Sequence, residues 1–114
     1  MIDIDNFEVT DDFTELNVLV GEYSFVVCDS KVVRVRVWYN QASYGGNRYS
    51  FTQSQYFHGP NQGGPYMTSA PFADSEEAAL RKAMSTFVIF WPADGTYDPE
   101  NVDTSSWFVP NERF

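Results

Sequence analysis

The chain carries one histidine and one cysteine, so few residues could act as a nucleophile or a metal ligand. His58 stands beside Gly59-Pro60, where a surface or turn-stabilising role is the simpler interpretation. Cys28 lies in an apolar segment, as a small buried hydrophobic residue would. A Cys–His pair also needs a third group to orient the base, and the sequence offers none.

We therefore expect no enzyme activity, no catalytic residue, no metal site and no cofactor. The acidic residues keep one alternative open. Sixteen Asp and Glu side chains guarantee that some pair is close, as a two-carboxylate glycosidase requires. However, 114 residues leave little room for a substrate cleft.

The acids lie mainly at the two ends of the chain, and the formal net charge is −9. Residues 1–30 hold eight acids and no base, so their balance is −8. The balance is +3 over residues 31–90 and −4 over residues 91–114. This charge disfavours direct binding to DNA, RNA or an anionic membrane, all of which need a basic footprint. It favours a protein partner with a basic surface, or it serves solubility alone.

The N-terminal acids form a row that could imitate a nucleic-acid backbone. In an extended segment, Asp3 and Asp5 point the same way about 6.8 Å apart, which is roughly two steps along one DNA strand. Such a row would occupy a basic groove built for phosphates. The alternative is a solvated acidic segment without a role. The predicted partner-binding acids are Asp3, Asp5, Glu8, Asp11, Asp12 and Glu15.

Residues 43–70 form a second candidate surface, because they carry one charge among many aromatic residues. Tyrosine offers a large contact area at low entropic cost, and Ser, Gly, Asn and Gln adapt their hydrogen bonds. The alternative is that half of the rings pack beneath a helix. The predicted contact residues are Tyr44, Tyr49, Tyr56 and Tyr66, with Trp38 from the preceding strand.

Strands are the elements expected to position most of these residues. Residues 16–40 are dense in β-branched and aromatic residues, and Asp29-Ser30 interrupts them as a hairpin turn would. Gly21 indicates a bulge within the first arm. In the second arm, one face carries Val33, Val35, Val37 and Tyr39. Turn signals at Gly45-Gly46-Asn47 and Gly59–Pro65 delimit a strand over 48–58, and a shorter strand is predicted at 66–70.

The hydrophobic period then changes from two to that of a helix. Asp74 with Glu77 forms an N-capping pattern, with Ser75 as the competing cap. Pro92 is expected to end the helix. The predicted apolar stripe is Leu80, Ala83, Met84, Phe87, Val88 and Trp91.

We predict an α+β fold, an antiparallel β-meander of four to five strands with one helix packed on one face and an irregular C-terminal tail. Residues 1–114 would form a single domain. Its predicted parts are an acidic segment (1–15), the meander (16–73), the helix (74–91) and a docked tail (92–114). No apolar run approaches 18 residues and the N-terminus lacks a signal-peptide pattern, so we expect a cytoplasmic protein.

In size and charge the chain is similar to small phage-encoded anti-defence proteins, including anti-CRISPR proteins. The residues that carry this resemblance are the acids of Asp3–Glu22 and Asp94–Asp103. The resemblance implies an inhibitor that blocks the nucleic-acid groove of a CRISPR effector in the host cytoplasm. A small ligand- or peptide-binding β-sheet module and a structural or assembly protein of a phage or bacterium stay open. So does a homodimer formed through the aromatic edge.

Overall fold

The computed structural model of the protein describes residues 2–8, 12, 15–27, 31–60, 62–92 and 103–114. Strands dominate these residues, and one α-helix follows the first five strands. In chain order the elements are a 3₁₀ helix (Ile4–Asn6), β1 (Asn17–Val27), β2 (Lys31–Tyr44), β3 (Asn47–Gln53), β4 (Gln55–Phe57), β5 (Phe72–Ala73), α1 (Glu76–Ser85), a second 3₁₀ helix (Ser105–Trp107) and β6 (Phe108–Pro110).

The main sheet has four antiparallel strands in the order β1-β2-β3-β5, and β4 pairs with β6 in a second, two-stranded sheet. The helix packs on one face of the main sheet, where it contacts β2, β3 and β5. The predicted α+β class is therefore confirmed, with four strands in the main sheet.

The first hairpin has the predicted face and the predicted bulge. Val33, Val35 and Val37 are fully buried beneath the helix side, as their alternation in β2 requires. The register between β1 and β2 shifts between Leu19 and Gly21, so the bulge is confirmed. Val27 pairs with Lys31, and the predicted turn residues between them lie outside the described residues.

A two-glycine turn joins β2 to β3. Gly45 and Gly46 have φ angles of 61° and 85°, and Tyr44 pairs with Asn47 on either side of them. Two consecutive residues with positive φ match the twist of the flanking strands and strongly favour glycine. The turn signal in the sequence is therefore confirmed here.

The strand predicted over 48–58 is divided at Ser54. The Ser54 amide donates to the Arg34 carbonyl (2.9 Å), and the Ser54 hydroxyl accepts from the Arg34 amide (2.8 Å). Because one residue takes both backbone groups of Arg34, the chain leaves the ladder, and β4 pairs instead with the C-terminal β6. The strand predicted at 66–70 is wrong, since Tyr66 forms only an isolated bridge and the pairing strand is β5.

Helix α1 begins later and ends earlier than predicted. Ser75 is the N-cap, and its hydroxyl accepts from the Ala78 amide at 3.0 Å. The hydroxyls of Ser85 and Thr86 each donate to a carbonyl three residues back, at 2.7 Å. Such bonds compete with the helical ladder, and residues 86–90 form turns.

Two apolar clusters make up the core. One lies under α1, where Ala79 and Ala83 pack on Val35 and Val37. The other is mainly aromatic and joins the second sheet to the beginning of β2; its buried members are Val33, Phe57, Phe87, Trp107 and Phe108. The tail residues Trp107 and Phe108 therefore pack inside the molecule.

Candidate functional site

The first predicted acids do not form an extended row. Ile4–Asn6 is a 3₁₀ helix, and the Asp3 carboxylate caps it by accepting from the Asp5 amide (3.2 Å) and from Asn6 Nδ2 (2.8 Å). At three residues per turn, side chains two positions apart project in different directions. The extended segment expected to join Asp3 and Asp5 is thus wrong, because Asp3 is extended but residues 4–6 form the 3₁₀ turn that its side chain caps.

Asp5 is held by the protein's own cation and phenol. Its carboxylate accepts from Arg48 Nη1 at 2.6 Å and from the Tyr39 hydroxyl at 2.9 Å. The Tyr39 hydrogen bond, followed by the Asp5 charge, raises the pKa of the Arg48 guanidinium. This contact fastens the N-terminal turn to the sheet and neutralises the Asp5 charge, so Asp5 is occupied internally.

The remaining predicted acids differ in setting. Glu8 and Asp12 are exposed and make no hydrogen bond or ion pair with another described residue. Glu15 is exposed and has a partner of its own. Asp11 lies outside the described residues. Among the described acids of the predicted row, Glu8 and Asp12 are therefore the ones that are both exposed and without a described partner.

The predicted tyrosines have different neighbours rather than one shared patch. Tyr49 meets Tyr39 edge to face at a centroid distance of 5.1 Å, and Tyr66 meets Phe90 at 5.2 Å. Tyr56 lines a small cavity of about 200 Å³. All three tyrosine side chains are half-buried. For Tyr44 only the backbone is described, as part of β2.

Of the two residues considered for nucleophilic chemistry, His58 and Cys28, only His58 is described, and its ring contacts a backbone carbonyl. Nε2 of His58 lies 3.1 Å from the Gln62 carbonyl oxygen, within the loop after β4. Cys28 is not among the described residues. Within the described ranges, no three His, Cys, Asp or Glu side chains gather closely enough to hold a metal ion.

An apolar groove that the sequence did not indicate lies between the end of β1 and the end of α1. Its volume is about 580 Å³. Several of its side chains are open to solvent, with exposed fractions of 67% at Val88, 60% at Val26 and 43% at Met84. Its lining residues are Phe25, Val26, Val27, Arg81, Met84, Ser85, Phe87, Val88 and Trp91.

The groove exists because the helix covers only part of the sheet. Helix α1 lies over β2, β3 and β5, which leaves the end of β1 at the margin of the apolar layer. The chain then turns after Ser85, so Val88 lies in a turn instead of continuing the helical face. The apolar stripe predicted for the helix already contained Met84 and Val88. Its spacing could not show that these two side chains are exposed and not packed on the sheet.

The groove has almost no charge of its own. Among its described lining residues Arg81 alone is charged, and its Nη2 donates to Glu77 Oε1 at 2.8 Å. Since both side chains are largely exposed, this pair contributes little to stability. Recognition in the groove would therefore depend on apolar contact and shape.

In comparisons with known proteins, no family model, no curated protein and no solved structure matches the chain. Over the part of the chain that the structure describes, no helix is both long and apolar enough to span a membrane.

Proposed function

We propose that this protein is a non-enzymatic binding protein whose apolar groove receives a segment of a protein partner. The observation that supports this proposal is the gathering of exposed apolar side chains, including Met84 and Val88, around a concavity of about 580 Å³. Exposed apolar residues scattered singly are ordinary, but a concave group of them is typical of an interaction site.

The shape of the groove favours a segment of a protein over a flat contact. An apolar side chain that enters the groove would meet lining residues that include Phe25, Phe87 and Trp91. A few such anchors, fully desolvated, supply most of the binding energy in protein interfaces. The predicted peptide-binding module is therefore the hypothesis that this geometry favours.

Photo-crosslinking from the groove tests the proposal. A photoreactive residue at Val88 should crosslink a partner from a cognate cell lysate, and the same residue at Val32 should not. Val32 is a matched control, because it is an exposed valine on β2 that does not line the groove.

The crosslinked partner then allows a quantitative measurement. Burial of a valine side chain is worth roughly 1.5–3 kcal/mol, so Val88→Asp should weaken the affinity about tenfold or more. Val32→Asp should leave the affinity unchanged. Equal crosslinking from both positions, no crosslinking from Val88, or equal affinities of the two variants would contradict the proposal.

A second candidate function is the acidic inhibitor implied by the likeness to anti-CRISPR proteins. The observation that favours it is that four of the seven Lys and Arg side chains form ion pairs within the described part of the chain. Several acids are left without a pairing cation among the described residues, and an excess of uncompensated carboxylates attracts a basic surface. The described acids of this kind include Glu8, Asp12, Asp74 and Glu112.

A competition assay tests the second candidate. The protein should lower the binding of labelled target DNA to a sensitive CRISPR effector complex, and the inhibition should weaken as salt is added. Glu8→Gln with Asp12→Asn should reduce the inhibition several-fold. Asp74→Asn with Glu112→Gln removes the same charge elsewhere and should matter less. The hypothesis that the N-terminal acids bind a basic groove would be rejected if salt does not affect the inhibition. It would also be rejected if the two double variants lose inhibition equally.

A further inference from the structure

The outer edge of β1 is the longest unpaired strand edge in the described part of the chain. Strand β1 (Asn17–Val27) pairs with β2 alone, and no described residue forms a backbone hydrogen bond across its other edge. An edge strand leaves the N–H and C=O groups of alternate residues pointing outward. Natural edge strands are often guarded by charged side chains, proline or a bulge; β1 has its bulge near Gly21 and one charge at Glu22, and residues 23–27 carry no such guard.

The apolar groove runs beside this edge. It is lined by three consecutive residues of β1, Phe25, Val26 and Val27. Successive side chains of a strand point to opposite faces, so the groove touches residues of both faces where β1 ends. Phe25 pairs with the buried Val33 and therefore faces the helix side, whereas Val26 pairs with the exposed Val32.

We propose that the partner's segment is extended and joins the main sheet as a new strand on the outer edge of β1. The proposal rests on the groove's being a protein-binding site and specifies how that site is used. Alternate apolar side chains of the added strand enter the groove, and the intervening side chains lie on the opposite face of the sheet. Main-chain hydrogen bonds provide affinity in this mode, and the alternate side chains provide specificity.

The net charge of −9, rather than the charge on β1 itself, favours a basic segment. Glu22 is the one charged residue of β1, and it lies on the face opposite the helix, where it pairs with Arg34 and Arg36 of β2. Because these two arginines already compensate Glu22, the residue itself adds little to the preference for a basic partner.

The helix side adds a second carboxylate near the same edge. The Glu76 side chain lies over Gly21, because a Cβ on that glycine would be 2.7 Å from Glu76 Oε1. A second copy of this chain would bring like charges together, since each copy carries a net charge of −9. The occupant that we infer is therefore a basic, extended segment of another protein.

Five short peptides test strand addition with the full-length, ¹⁵N-labelled protein. KVKFKVKL alternates lysine with apolar residues, as a strand requires. LKKVFKKV has the same composition at helical spacing, and EVEFEVEL reverses the charge. An N-methylated form of KVKFKVKL is made in two versions, methylated either at the lysines or at the apolar residues. Titrations followed by amide chemical shifts give the affinities.

KVKFKVKL should bind at least tenfold more tightly than LKKVFKKV and EVEFEVEL, and it should slow hydrogen exchange at alternate amides of β1. One N-methylated version should lose about tenfold or more, since several hydrogen bonds of about 1 kcal/mol each are lost. The other version should bind nearly as well, because its methyl groups point away from β1.

Three results would overturn strand addition: equal affinity for LKKVFKKV, equal tolerance of both N-methylated versions, or no binding by any peptide. The Val88→Asp variant shows whether only strand addition has failed or whether the groove is not a binding site at all. If LKKVFKKV binds to the wild type and not to Val88→Asp, the groove binds protein segments and only the strand is wrong. If a peptide binds equally to both proteins, the groove itself is rejected.

Discussion

At the residue scale, Gly21 allows the edge strand to contact the start of the helix. A Cβ at this position would be 2.7 Å from both Glu76 Oε1 and the Tyr23 ring. Because glycine has no Cβ, the Tyr23 hydroxyl can reach Glu76 and form a hydrogen bond with it. Partial burial raises the pKa of the Tyr23 phenol, and the charge and hydrogen bond of Glu76 raise it further. The pair ties β1 to α1 near the open edge.

Glu76→Gln should lower the pKa of Tyr23, because the charge that opposes phenolate formation is removed. The pKa should stay above the ordinary tyrosine value, since partial burial, its largest cause, remains. Because folding raises the pKa of Tyr23, the neutral phenol stabilises the folded state at pH values below the pKa of Tyr23 in the unfolded chain. This stabilisation is lost as the pH rises through the pKa of Tyr23 in the folded protein. NMR titration of ¹³C-labelled tyrosine measures the shift. Glu77→Gln is the control, and equal pKa values in the two variants would contradict this assignment.

At the element scale, the helix boundaries are decided by hydroxyl groups. The Ser75 hydroxyl accepts a hydrogen bond from the Ala78 amide at the N-terminus. At the other end, Thr86 is buried, donates to the Ala83 carbonyl and accepts from Gln53 Nε2 at 3.3 Å. The helix therefore stops where a side chain of β3 holds its last turn, and the following residues are free to form the wall of the groove.

Ser75→Ala should lower the free energy of unfolding by about 1 kcal/mol, because an N-terminal amide of the helix loses its cap. Asp74→Ala should change it by less than about 0.5 kcal/mol, since Asp74 contributes only through the helix dipole. Urea unfolding followed by circular dichroism measures both. A larger loss for Asp74→Ala than for Ser75→Ala would show that Asp74, and not Ser75, caps the helix in solution.

At the scale of the whole molecule, the C-terminal residues connect the two sheets. Phe57 of β4 is fully buried, and its ring lies 6.3 Å from those of Trp107 and Phe108 and 5.3 Å from that of Trp91. Asn111 adds a polar link, because its Nδ2 donates to the Gln53 carbonyl at 2.9 Å. The same aromatic cluster supports Phe87 and Trp91, which line the groove.

Phe57→Ala should lower the free energy of unfolding by about 3–5 kcal/mol, as loss of a buried phenylalanine ring typically does. Phe90→Ala is the matched control, because Phe90 is 46% exposed and its loss should cost below about 1 kcal/mol. Urea unfolding monitored by tryptophan fluorescence compares them. Similar losses in the two variants would mean that the aromatic cluster contributes little to the stability of the native state.

The sequence by itself determined the features that follow from local periodicity and backbone preference. Valines at alternate positions from 33 to 37 could bury only one face of a strand. Gly45-Gly46 favoured a tight turn because both residues adopt positive φ. The helical spacing after Ser75 required a helix with one face against the sheet. The α+β class follows from these local rules.

Tertiary structure alone decided the strand breaks and the candidate site. Ser54 leaves the ladder because of Arg34, twenty positions earlier in the chain, and Asp5 is neutralised by Arg48, forty-three positions later. The exposure of Val88 depends on how far the helix extends across the sheet, which spacing cannot reveal. Such outcomes depend on which distant groups satisfy one another's hydrogen bonds and cover one another's apolar surfaces, and only the folded arrangement brings those groups together.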